Sequence, residues 1–102
     1  MDDFKVLRTL VAVYDCGSVV AAARERRYSP AAVSRQMAAL QRRLGVELFV
    51  PDGRGIKPTP EAADLVRHVR GVLAQVDELE RHLRSLRSRE ASSTAWAATA
   101  RS

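Results

Sequence analysis

Seven apolar residues in the second half of the chain, Leu65, Val69, Val72, Val76, Leu79, Leu83 and Leu86, follow one another at steps of four, three, four, three, four and three. Only an α-helix brings such positions to one side, and an unbroken 3.5-residue period marks a helix that pairs with another helix. Thr59 as a cap and Pro60 as the first helical residue open this element, which is expected to run to about residue 88. Asp77–Arg81 and Glu80–Arg84 stand four apart with the acid first, the order that supports a helix. The seam extends past residues 1–60, so its last turns need a partner, and the expectation is a homodimer joined through the 61–88 helix.

Upstream the pattern is different. Phe4, Leu7, Leu10, Val11 and Tyr14 predict an amphipathic helix over about 3–15, stopped by Gly17. Ser18 is a ready cap for a short helix at 19–26, whose Ala21, Ala22 and Ala23 allow close approach of a neighbour. Ser29 caps a third helix with Pro30 at its first position. Val33, Met37, Leu40 and Leu44 are its expected buried stripe, and Gly45 ends it. The period then changes: VELFV and IKP flank Asp52-Gly53-Arg54-Gly55 and read as two short strands of a hairpin. Residues 89–102, rich in Ser, Thr and Ala beyond the seam, are expected to be a tail or linker, and Trp96 alone makes no site.

The charge is uneven. Residues 1–60 hold ten Lys and Arg against six Asp and Glu, a balance of +4, whereas residues 61–90 hold six of each. Arg24, Arg26, Arg27, Arg35, Arg42 and Arg43 against Glu25 give +5 within 24–43. Such a cluster fits a polyanion, above all a nucleic-acid backbone.

Three short helices followed by a β-hairpin is the order of a winged helix-turn-helix, so the expected fold is mainly α, with a three-helix core, a small wing and a long dimerisation helix. In a helix-turn-helix the second helix of the pair enters the DNA major groove with its N-terminal residues first. Ser29, Pro30, Ala31, Ser34 and Arg35 give that helix a small, polar start. Ser29 and Ser34 can donate to phosphate, Arg35 can read guanine or clamp phosphate, and Pro30 and Ala31 can touch a thymine methyl. Arg42 is a candidate phosphate contact, and Arg54, between two glycines, is expected in the flanking minor groove.

The run GSVVAAARERRYSPAAVSRQMAALQRRLGVELFVPDGRGIKPTPEA resembles the N-terminal DNA-binding domain of LysR-type bacterial transcription regulators. The matching features are Gly-Ser followed by Ala-Ala, S-x-x-A-V-S-R-Q, L-x-x-x-L-G-x-x-L-F, then G-R-G and T-P. The resemblance extends over residues 1 to about 88. It implies a winged helix-turn-helix, a linker helix that dimerises with its counterpart, binding to partly palindromic promoter DNA, and control of its own or neighbouring genes by full-length members. The chain departs from that pattern in several places. Pro30-Ala31 stands where Gln-Pro is usual, which removes a hydrogen-bonding base reader. Arg26 stands where a core leucine is usual and must snorkel, or else the turn packs differently. Pro51 and Pro58 replace an arginine and a leucine in the wing, which is expected to lose a phosphate contact and weaken strand pairing. Glu61-Ala62 stands where Ala-Gly is common. The effector-binding domain of full-length members is absent from these 102 residues, so no inducer site is expected in them.

Other classes find little support. His68 and His82 are about 21 Å apart along one helix and cannot share a metal. Cys16 excludes an internal disulfide, has no nearby His partner for nucleophilic chemistry, and is expected as a small core residue near a helix end. No glycine-rich phosphate loop follows a strand, so no cofactor and no catalysis are expected. No apolar run long enough to span a membrane occurs, and a cytoplasmic, nucleoid-associated protein is the expectation. The alternative is a dimerising interaction module with weak or non-specific DNA binding that modulates full-length relatives. The clustered arginines weigh against a purely protein-binding role.

Overall fold

The computed structural model describes residues 3–92. In chain order the elements are α1 (Asp3–Cys16), α2 (Val19–Arg26), α3 (Pro30–Leu44), β1 (Phe49–Asp52), β2 (Gly55–Pro58) and α4 (Pro60–Ser92). They form two compact units, the first closing at Gly71 and the second starting at Val72. The expected tail lies, from residue 93 onward and with Trp96 in it, outside the described residues.

Local chemistry sets each boundary in the first unit. Gly17 takes φ +68° and donates its N–H to the Val13 carbonyl at 2.9 Å, ending α1. The inward face of α1 runs through Val6, Thr9, Leu10 and Val13, with the last three fully buried. Phe4, expected on that face, lies off it and is exposed. Ser18 caps α2 by accepting the Ala21 N–H, and Ala22 and Ala23 are buried, as a close helix crossing requires. At the end of α2 the chain turns through Arg27 at φ +62°, and the Tyr28 N–H returns to the Ala23 carbonyl at 2.9 Å. A non-glycine residue here carries some strain, which the tight helix-turn-helix connection holds in place.

Arg26 resolves the question raised by its unusual position. It is half-buried, and its Nε donates to the hydroxyl of the fully buried Thr9 at 3.3 Å. A terminal guanidinium nitrogen reaches the Lys5 carbonyl at 3.4 Å, and the group lies 5.6 Å from the centre of the Tyr28 ring. Its stem thus lies along the core while its head meets polar atoms of α1.

On α3, Ser29 accepts the Ala32 N–H at 3.1 Å, and Val33, Met37 and Leu40 are buried. Leu44 corrects the expected four-residue stripe. It is the last helical residue, 47% exposed, and lines an open apolar groove with Val46, Leu48 and Leu65.

The hairpin pairs Phe49 with Pro58, Val50 with Lys57, Pro51 with Ile56 and Asp52 with Gly55, leaving Gly53 and Arg54 as a two-residue turn. Gly53 at φ +61° supplies the positive dihedral that the first turn position needs. The expectation that two prolines would weaken the pairing misses the register. In an antiparallel ladder hydrogen-bonded and non-hydrogen-bonded pairs alternate, and the turn-flanking Asp52–Gly55 pair is of the bonded kind. Pro51 and Pro58 therefore both fall on non-bonded pairs, where a missing N–H costs nothing. The Thr59 N–H to the Leu48 carbonyl, at 2.9 Å, continues the same alternation.

Thr59 then joins wing to helix. Its hydroxyl donates to the Glu47 carbonyl at 2.7 Å and accepts the Ala62 N–H at 3.1 Å, capping α4. Within the first unit Ala62, Val66 and Val69 are buried, so Val69, counted in the heptad seam, is turned into the domain. Leu65 is half-buried. In the second unit Val72, Leu79, Leu83 and Leu86 are 40–56% exposed, and Val76 is half-buried. Removing the double role of Thr59 is costly: Thr59→Ala is expected to lower stability by about 1–2 kcal/mol in urea denaturation, and Thr59→Ser to recover most of that.

Candidate nucleic-acid interface

The buried stripe of α3 fixes which residues it offers to solvent. With Val33, Met37 and Leu40 inward, Ala31, Ser34, Arg35 and Arg42 fall on the opposite side, and all four are exposed, as are Ser29 and Pro30 at the helix start. Six of the seven expected contact residues therefore share one surface. Ser29 and Pro30 bring the N-terminal end of the helix dipole to it, and no bulky side chain shields the first turn. The seventh, Arg54, is exposed at the tip of the hairpin.

Gln36, next to Arg35, does not belong to this surface. It is half-buried in a cleft with Lys5, Val6, Tyr28 and Arg43, and its Oε1 is buried without a hydrogen-bond partner. The arginine cluster is also smaller at the surface than the sequence count suggests. Arg24, Arg27, Arg35, Arg42 and Arg43 are exposed, whereas Arg26 is engaged with α1. Lys57 on β2 adds a cation to the exposed side of the wing.

Two features escaped sequence reasoning because each joins separate elements of the fold. Asp15, at the end of α1, accepts from both terminal guanidinium nitrogens of Arg70 on α4, and the bond from Nη1 measures 3.2 Å. The carboxylate accepts from and attracts the guanidinium, raising the Arg70 pKa further. Gln41, which sequence reasoning did not single out, accepts the Leu48 N–H at 2.8 Å and the Phe49 N–H at 3.1 Å through Oε1.

Cys16 is corrected from core to surface. Its Sγ is exposed and donates to a Glu25 carboxylate oxygen at 3.2 Å. That hydrogen bond first, then slight burial and the charges of Glu25 and Asp15, hold the thiol pKa above its ordinary value.

Comparison with known proteins follows the same residues. The family model for "Bacterial regulatory helix-turn-helix protein, lysR family" matches residues 4–63. The chain belongs to the lysR family. Its relatives are transcription regulators, not enzymes. It is 36% identical over 78 residues to the HTH-type transcriptional regulator MetR of Escherichia coli strain K12, covering 76% of this chain and 25% of MetR. It is 41% identical over 71 residues to the HTH-type transcriptional regulator TfdS of Cupriavidus pinatubonensis, covering 70% of this chain and 24% of TfdS. The chain thus spans about a quarter of the length of these curated relatives. Its fold matches the crystal structure of a CbnR_DBD–DNA complex with a TM-score of 0.76 and 30% identity, over 84% of this chain and 98% of that one. The winged helix-turn-helix is therefore the family's DNA-binding domain. Among the described residues no helix is long and apolar enough to cross a membrane.

The raised Cys16 pKa reduces the thiolate fraction at neutral pH, and the thiolate is the reactive form. Alkylation by iodoacetamide at pH 7.5 is expected to be slower than for an unhindered cysteine peptide, and Glu25→Gln is expected to accelerate it. Equal rates for the two proteins would contradict the assigned cause.

Proposed function

We propose that this chain binds double-stranded DNA sequence-specifically as a homodimer and so places a transcription regulator at its operator. Residues 1–60 are the DNA-binding domain, 61–88 the dimerising linker helix and 89–102 a tail or linker. The helix α3 occupies the major groove. Ser29 and Ser34 contact phosphate, Pro30 and Ala31 lie against base edges, Arg35 reads a guanine or clamps phosphate, and Arg42 steers the backbone. Arg54 enters the flanking minor groove. The single observation that carries this reading is the exposure of Ser29, Pro30, Ala31, Ser34, Arg35 and Arg42 on one face of α3 in a lysR-family fold. The crystallised CbnR_DBD–DNA and BenM_DBD/benA site 1 DNA complexes support it, since their protein chains match this fold over 98% of their length.

The dimer seam is drawn from Leu65, Val72, Val76, Leu79, Leu83 and Leu86; exposed leucines at regular spacing on a helix support it. Val69 contributes to the seam only through whatever part of it the domain core leaves uncovered. The setting is the cytoplasm, at the nucleoid.

Selection from a random duplex library at physiological salt, followed by sequencing, tests the reading. Enrichment of an inverted repeat is the expected result. Bound DNA without enrichment would indicate backbone and shape recognition alone, and no binding would leave an interaction module that modulates longer relatives. Arg35→Ala is expected to weaken binding to the selected site roughly tenfold or more and to relax preference at one base pair. The pair Leu79→Glu and Leu83→Glu is expected to give a folded monomer in sedimentation velocity, with greatly reduced DNA affinity.

A further inference from the structure

The four-residue connection between α3 and β1, together with the first amide of β1, takes nearly all of its hydrogen bonds from one residue, Gln41. The Gly45 and Val46 N–H groups donate to the Gln41 carbonyl oxygen at 2.8 and 3.3 Å. The Leu48 and Phe49 N–H groups donate to Gln41 Oε1 at 2.8 and 3.1 Å. Four of the five amides from Gly45 to Phe49 thus end on a single residue of the recognition helix.

This arrangement replaces a ladder partner. By the alternation of the hairpin, Leu48 pairs with Thr59, yet only the Thr59 N–H to Leu48 carbonyl bond is formed from main-chain atoms. The Leu48 N–H turns instead to the side chain of Gln41. Leu48 itself is almost fully buried, so its amide has little water to fall back on. The base of the wing is therefore held from two sides, by Gln41 of α3 at the entry and by Thr59 at the exit.

We infer that Gln41 is a positioning residue for DNA binding: its amide oxygen fixes the wing on the recognition helix, so that Arg54 reaches its groove only while α3 lies in its own. The inference rests on the proposed minor-groove role of Arg54. Gln41 does not touch DNA in this scheme. It acts by converting the wing from a pendant hairpin into a rigid extension of α3, which removes the ordering cost of the Arg54 contact from the binding step. A carboxylate can accept the same two N–H groups, whereas methionine has the length without the acceptor, and asparagine has the acceptor one methylene short.

The test is a double-mutant cycle on the 102-residue chain with the duplex recovered by selection. Arg54→Ala is measured in the wild-type, Gln41→Met, Gln41→Asn and Gln41→Glu backgrounds, with hydrogen exchange of the Leu48 and Phe49 amides followed alongside. In wild type and Gln41→Glu, Arg54→Ala is expected to cost about tenfold in affinity, the scale of one good polar contact. In Gln41→Met and Gln41→Asn that cost is expected to fall below about twofold, with faster exchange at Leu48 and Phe49 while Leu10 and Val13 stay protected. A full Arg54 cost in both acceptor-poor backgrounds overturns the role of Gln41. No Arg54 cost in wild type overturns the minor-groove reading itself, and is separate because it appears in the single variant. Should Gln41→Met fail to fold, Gln41→Asn decides alone.

Discussion

A helix that must present one side to a ligand has to bury the other completely, and in this domain α3 meets that constraint with three side chains. Val33, Met37 and Leu40 leave no freedom in the helix's rotation about its axis, because each is buried at a different turn. The helices α1 and α2 serve that placement. The small residues of α2, Ala22 and Ala23, allow a close crossing, and Leu10 and Val13 of α1 complete the core. A rotation of α3 by even one residue would expose this stripe and bury Ser34 or Arg35, at a cost far above that of any surface contact.

Polar chemistry in the interior then settles details that hydrophobic packing leaves open. Thr9 is fully buried, and its hydroxyl is satisfied by the Lys5 carbonyl and by Arg26. Arg26 could therefore stand at an otherwise apolar position without leaving a buried charge unpaired, since its head finds main-chain and hydroxyl oxygens at the edge of the core. Gln41 and Thr59 play the corresponding part for the wing. A two-stranded ribbon is marginal by itself whatever its sequence, and here its anchorage comes from the side chains of Gln41 on α3 and Thr59 at the start of α4.

The long helix α4 serves two purposes along its length. Its first turns carry Ala62, Val66 and Val69 into the first unit, and Asp15 grips Arg70 there. Its later turns carry the exposed leucines of the second unit. The heptad reading detected the period of the whole element but could not separate these stripes, because a core-facing row and a partner-facing row on one helix both recur at three and four residues. Val69 belongs to both by spacing, and burial assigns it to the first.

The sequence by itself determined the element order, the caps and the turns. Ser18, Ser29, Gly17, Gly45 and the Gly53-Arg54 turn act through bonds to neighbours within a few residues, and such local chemistry is readable without a fold. It also determined the exposed face of α3, since three buried positions at helical spacing imply the opposite side. Only the tertiary structure decided which residues at the margins were covered. Phe4 and Leu44 are apolar yet exposed, Cys16 is exposed beside Glu25, and Arg26 is drawn inward to Thr9. Gln41 gave no sign of its four N–H donors, and Pro51 and Pro58 became harmless only through the hairpin register. These outcomes depend on how separate elements pack against one another, some of them only seven to nine residues apart in the chain, and no local pattern encodes that geometry.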